Sequence, residues 1–291
     1  MRLFTFVQME IPWELGPADG RYLLRKLDGP RESEPEHVIV LSTIGAARKS
    51  RLGKRSRTRP TTRVGSEATP VAVARATVVD PVSLSSEGQA KTWLGELDPD
   101  REAAGAAAVL NRMLFAHRIA GAAPHLHEVS LTQALVLRAG YGEGEQVADG
   151  LWVAARELVL SHKRAGRRAA VLRPHERLAL LLSGRDRPLQ CEELVLRARL
   201  DLDAGRLALA AIELERAYAA ALVELPGEER QDMRARIQEL TALSGSVEEA
   251  ATAALGPAGQ DEIDIDAVRR GLERLEAALR ARTAPGFAAL R

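Results

Sequence analysis

Cysteine occurs once in this 291-residue chain, at Cys191, so no internal disulfide can form and a reducing compartment is expected. Aromatic residues make up only 3% of the sequence. No run of eighteen apolar residues occurs, so no transmembrane helix is expected. The opening MRLFTFVQMEI is soon interrupted by Gln8, Glu10 and Pro12 and lacks a small-residue cleavage site. It therefore reads as a strand and not a signal peptide, and a cytoplasmic location is expected. Lysine is scarce as well: five of the 41 cations are Lys, which leaves 36 Arg. A GC-rich genome produces such a bias, so the position of a cation says more than its frequency. Also missing are a nucleophile–base pair, a complete metal-ligand set and a phosphate-binding loop. No catalytic, metal or cofactor residue is assigned.

What is present is a soluble globular composition, 46% hydrophobic and 28% charged, with its apolar mass mostly in Ala, Leu and Val. The length allows two domains. The most distinctive stretch is Arg48 to Arg63, RKSRLGKRSRTRPTTR. It carries Arg48, Lys49, Arg51, Lys54, Arg55, Arg57, Arg59 and Arg63 with no acid among them. The whole chain is only +1, so removing these eight cations leaves a remainder of −7. A concentrated cationic segment on a mildly acidic body suits a polyanion or an acidic protein surface.

The order of elements predicts an α+β fold: an N-terminal β-rich region with a long basic inter-strand loop, followed by a larger all-helical region. Strands are expected at 3–11, 21–27, 37–44 and 71–79, the third covered on both faces because its β-branched run is continuous. The basic loop, 47–70, then connects two strands of one sheet, and loops of that length are uncommon without a function. Ser86 and Gln89 have capping-box spacing ahead of a short helix through Trp93 to Leu97. LDPDRE marks the expected domain boundary, which gives domains 1–97 and 98–291. Residues 102–120 read as a buried helix, and 129–142 as a strand that adds to the N-terminal sheet. Helices follow near 147–165, 174–184, 190–204, 208–225, 228–244, 246–255 and 264–282, with Gly184, Gly205, Gly227, Gly245 and Gly256 near their ends.

A second cationic run, Lys163, Arg164, Arg167 and Arg168 with Arg173, falls at a helix end and would complement its dipole. Beside the first run it would make a polyphosphate-sized patch that grips nucleic-acid backbone with little sequence preference. Neither run holds an aromatic residue for base stacking. Gly140, Gly142 and Gly144 in GYGEGEQ read as a turn, because Glu143 and Glu145 would repel phosphate. His125, His127 and Glu128, with His117, are candidate metal ligands, the first two sharing a face if they lie on a strand, but a fourth ligand at defined spacing is absent. Asp261, Glu262, Asp264 and Asp266 precede a helix whose apolar seam is Ile265, Val268, Leu272, Leu275 and Leu279. The acids match the helix N-terminus and Arg280 and Arg282 its end. Within the seam, Val268, Leu272, Leu275 and Leu279 are candidates for a subunit contact.

Ala198, Gly205, Ala210, Leu214 and Ala217, with Pro226 as a stop, place small residues, a turn glycine and a larger apolar residue along two helices. In this respect residues 190–226 resemble one tetratricopeptide-type hairpin, present as a single copy. The resemblance implies protein–protein interaction. Taken together, the expected function is a non-catalytic adaptor or structural subunit of a larger cytoplasmic assembly, with partner proteins or further copies of the chain on the helical surfaces and an anionic surface on the basic arm. A sequence-nonspecific nucleic-acid-binding protein using both basic runs is the alternative, and an enzyme of unknown class comes third.

Overall fold

A computed structural model describes residues 2–26, 34–45, 72–160, 174–226, 231–256 and 262–283. The chain divides into two compact units, Met1–Ser161 and His162–Arg291.

The first unit is built on a six-stranded, wholly antiparallel sheet in the order β2-β3-β4-β1-β5-β6. Its strands are β1 (Leu3–Ile11), β2 (Gly20–Leu24), β3 (His37–Ile44), β4 (Val73–Val79), β5 (Val136–Glu143) and β6 (Ala154–Glu157). Two helices, α1 (Glu87–Glu96) and α2 (Pro99–Ala120), lie between β4 and β5 in sequence. Strand side chains alternate between faces, and here both faces are used. Val7, Met9, Ile11, Ile39, Leu41, Ala76, Val78 and Leu137 form an apolar core with Ala103, Ala106, Ala107, Leu110, Met113 and Leu114 of α2. The alanines keep that face of α2 shallow enough for close approach to the sheet. Pro99 stands in its first turn, and the Asp98 carboxylate accepts the N–H groups of Asp100 and Arg101. On the opposite face Phe6, Val38, Val79 and Val147 are buried with Phe4, Val40, Trp152 and Ala155 around them.

Two expectations are corrected in this unit, and a third, the strand within 129–142 added to the sheet, holds with a later start. The helix expected at 147–165 does not form among its described residues. Gly144–Asp149 is a 3₁₀ turn and Ala154–Glu157 is the edge strand β6. DGLWVAAREL is locally compatible with a helix, but the free edge of β5 takes up the chain, with Val153 N–H donating to the Tyr141 carbonyl at 3.0 Å. The boundary expected at residue 97 lies at 161 instead, because α2, β5 and β6 belong with the sheet. The segment 129–142 opens as a 3₁₀ turn at Leu131–Gln133, and its strand begins only at Val136, beside β1.

In the second unit, described by itself, come α3 (Pro174–Leu182), α4 (Gln190–Asp203), α5 (Leu207–Glu224), α6 (Gln231–Leu255) and α7 (Ile265–Arg282). Its core is an aliphatic cluster that includes Val195, Leu214, Leu225, Leu240, Val247, Val268, Leu272 and Leu275. Gly205, at φ +72°, makes the left-handed turn between α4 and α5. Helix α6 runs unbroken through Gly245, so the two helices expected at 228–244 and 246–255 are one. In α7, Gly271 is a close-packing position. A Cβ there would meet Val247 Cγ2 at 2.8 Å, and the Tyr218 hydroxyl donates to its carbonyl at 2.9 Å. The α+β class, a sheet followed by a larger helical region, is the architecture observed.

Candidate functional site

Both cationic runs lie outside the described residues: Arg48, Lys49, Arg51, Lys54, Arg55, Arg57, Arg59 and Arg63 in the first, and Lys163, Arg164, Arg167 and Arg168 in the second. What is described is where the first run is rooted. Ile44 ends β3, Val73 begins β4, and the two residues are registered partners. The expected connection between two strands of one sheet is therefore a connection between neighbouring antiparallel strands.

The seam of α7 is placed differently from the expectation. Val268, Leu272 and Leu275 are wholly buried, and Leu279 packs half-buried against the same cluster. Residues spaced 3 and 4 apart on a helix face whatever is nearest, and here that is the rest of the helical unit. As a subunit contact the seam is corrected: its apolar surface is already covered within the chain. At the start of α7, Asp264 accepts the N–H groups of Asp266 and Ala267 at 2.9 and 3.0 Å, which is the helix-start role expected of it.

His125 and His127 lie in an exposed connection and not on a strand, so the face they were expected to share does not exist. Gly140 and Gly142 are strand residues of β5 and not part of a turn. A Cβ on Gly140 would run into the Ala154 carbonyl and meet Phe6 Cζ at 2.8 Å, and one on Gly142 would meet Val147 Cγ1 at 2.6 Å. These glycines admit the segment that returns over the sheet. Cys191 is wholly buried in the first turn of α4. Burial first, and then the neighbouring Glu224 carboxylate, push its thiol up to about 12, so it stays protonated at neutral pH.

Two arrangements are visible only in three dimensions. On the sheet face away from α2, Gln8 and Thr77 are wholly buried polar residues in the middle of an apolar layer. Gln8 Nε2 donates to Thr77 Oγ1 at 2.8 Å, and Arg138 donates to Gln8 Oε1 at 2.8 Å. The Arg138 guanidinium lies 5.5 Å from the Trp152 ring, which itself stacks on Phe6 at 5.7 Å. One residue pair further along, Glu10 accepts from Arg75 at 3.0 Å and lies 3.5 Å from Arg138. Each group has a partner in this network, which orders three strands and shares the single Glu10 carboxylate between two guanidinium groups.

The second arrangement is on the helical unit. The inward stripe of α4 is Cys191, Val195 and Ala198, which leaves Leu196 and Leu200 facing out at 66% and 44% exposure. Leu178 and Leu182 of α3 are likewise exposed, again four residues apart. Sequence reasoning passed over both pairs, because a leucine in a helix reads first as core. No family of proteins, no curated protein and no solved structure matches this chain.

Proposed function

We propose that this protein is a non-catalytic adaptor or structural subunit, whose helical unit docks partner proteins and whose basic connection contacts an anionic surface. The observation that supports the reading is the surplus apolar face of α4. Leu196 and Leu200 are not needed by the core, which Val195 and Ala198 already fill from the same helix. Adjacent exposed leucines cost solubility and are retained where something covers them. The flanking Glu193 and Arg197, bridged at 3.0 Å, give that face the polar border usual at protein contacts. The basic segment supplies steering and not shape: eight cations without an acid attract a negative surface before any specific contact forms.

The test is the mass in solution together with the ratio of absorbance at 260 and 280 nm. A large discrete mass free of nucleic acid, reduced by Leu196→Glu with Leu200→Glu while the melting temperature stays put, agrees with the proposal. Co-purifying nucleic acid that is lost on replacing Arg51, Lys54, Arg55, Arg57 and Arg59 by Ser would move the assignment to a nucleic-acid-binding protein. For the same quintuple variant, the proposal expects stability within about 0.5 kcal/mol of the wild type.

A further inference from the structure

The middle rows of the sheet face under α2 are apolar. Val7, Met9 and Ile11 of β1, Ile39 and Leu41 of β3, and Ala74, Ala76 and Val78 of β4 all belong to the core. At the end of the same face stand Thr5, His37 and Asp80, and there the layer opens into a cleft of about 390 Å³ between the sheet, Trp93 of α1 and the start of α2. That volume is in the range that holds small organic ligands. Thr5 is 9% exposed at its floor, and the Asp80 N–H donates to the Thr5 carbonyl at 3.0 Å, which fixes the two strands together there.

Two of the charges on the rim are unspent. Among the described residues neither Arg101 nor Glu102 makes a side-chain hydrogen bond or ion pair. Asp80 uses Oδ1 to accept the Val82 N–H at 2.9 Å, and its carboxylate otherwise faces the opening. Gly105 stands on the same rim. It interrupts a run of alanines, Ala103, Ala104, Ala106, Ala107 and Ala108, inside a helix where glycine is the poorer residue. No neighbour forbids a side chain at that position: a Cβ there would meet nothing within 4 Å. The position is exposed, at the rim of the cleft.

We propose that this cleft binds a small zwitterion of the amino-acid type, its carboxylate on Arg101, its ammonium between Asp80 and Glu102, and its apolar side chain against Trp93. A guanidinium and two carboxylates around an apolar wall offer one partner to a carboxylate and two to an ammonium borne by a single ligand. A simple amine would leave Arg101 facing its cation, and a simple acid would meet two carboxylates. The site shares no residue with the α4 surface and does not depend on the adaptor reading.

Titration calorimetry on the full chain with L-phenylalanine, 2-phenylethylamine and 3-phenylpropanoate tests it. L-phenylalanine is expected to bind, and each analogue that carries one charge to bind at least about tenfold more weakly, as loss of one charge-assisted contact implies. Arg101→Gln and Glu102→Gln, changes at the helix surface, should each weaken L-phenylalanine by a similar factor. Gly105→Leu should fill the cleft and abolish binding with an unchanged or raised melting temperature. No heat with L-phenylalanine at millimolar concentration overturns the proposal. So does equal binding of the amine or the acid, or undiminished binding to both charge variants.

Discussion

The two units hold their interior polar groups in opposite places. In the sheet unit they sit mid-strand: Gln8, Thr77 and Arg138 join β1, β4 and β5 through residues 69 and 130 apart in sequence. In the helical unit, apart from the mid-helix Tyr218–Gly271 bond and the Arg199–Glu276 pair, they gather at helix ends. Arg177 beside α3's start pairs with Glu192 at 2.7 Å and Asp186 at 3.4 Å, and the nearly buried Arg282 at the end of α7 approaches both carboxylates. Glu224, closing α5, accepts the N–H groups of Gln190 and Cys191 at 2.9 and 3.1 Å. Leu189, the residue before α4, has no side-chain acceptor, so a carboxylate from the next helix supplies the missing cap. The contrast follows from backbone chemistry. A strand slipped by one residue turns every side chain over, so a buried polar row in the middle penalises the wrong register. Helices satisfy their own middle and leave only their ends in need of partners.

The largest way to break the comparison is Leu272→Glu. An unpaired carboxylate in the centre of the helical core should abolish the folded helical unit, seen as lost amide-exchange protection across 190–282. Retained protection across β1, β4 and β5 would show two cooperative blocks. Gly140→Val attacks the other side. Its branched side chain must displace the Ala154 carbonyl and the Phe6 ring, at about 3 kcal/mol, and protection should fall first in β5 and β6. Gln8→Leu is next, at about 1–3 kcal/mol, because it strips a buried acceptor from Arg138 and a donor from Thr77. A neutral result in chemical denaturation would mean the row is dispensable for register.

Glu224→Gln should be the mildest, at about 1 kcal/mol near neutral pH. Burial opposes the Glu224 charge, but the backbone N–H groups of Cys191 and Gln190 outweigh it and hold its pKa below the ordinary carboxylate value. A depressed folded pKa stabilises above the unfolded value, about 4.3, and that benefit is lost as the pH falls through the folded one. The gap between wild type and variant should therefore close in acid. A gap that stays constant from pH 7 to pH 3 would show that shape and not charge matters at this cap.

Much of the architecture was legible from local pattern. The strands at 3–11 and 37–44 have the bounds read from their apolar runs, and Ser86 accepts the Gln89 N–H as its spacing implies. The reciprocal half of that cap shifts by one residue, since Gln89 Oε1 takes the Ser85 N–H. What could not be read locally was set by distant chain. Residues 154–157 become a strand because Gly140 opposite has no side chain and leaves Ala155 room. Gly245 fails to end a helix because its φ stays right-handed, while Ser244 and Ser246 bond back to Thr241 and Leu243 within the same helix. The polar row, the Glu224 cap and the cleft at α2 all join residues with no sequence spacing to betray them.

The place of β1 in the middle of the sheet has a consequence for biosynthesis. Its nine residues, LFTFVQMEI, are made before both neighbours, and Gln8 waits 130 residues for Arg138. At ribosomal speeds that interval is on the order of ten seconds. Neither edge of β1 can pair until β4 is made, and its other edge stays open until β5 is made. The nascent chain is thus at its most vulnerable to self-association before β5 is made, and chaperone demand should track the translation of residues 80–140 more than the completion of the helical unit.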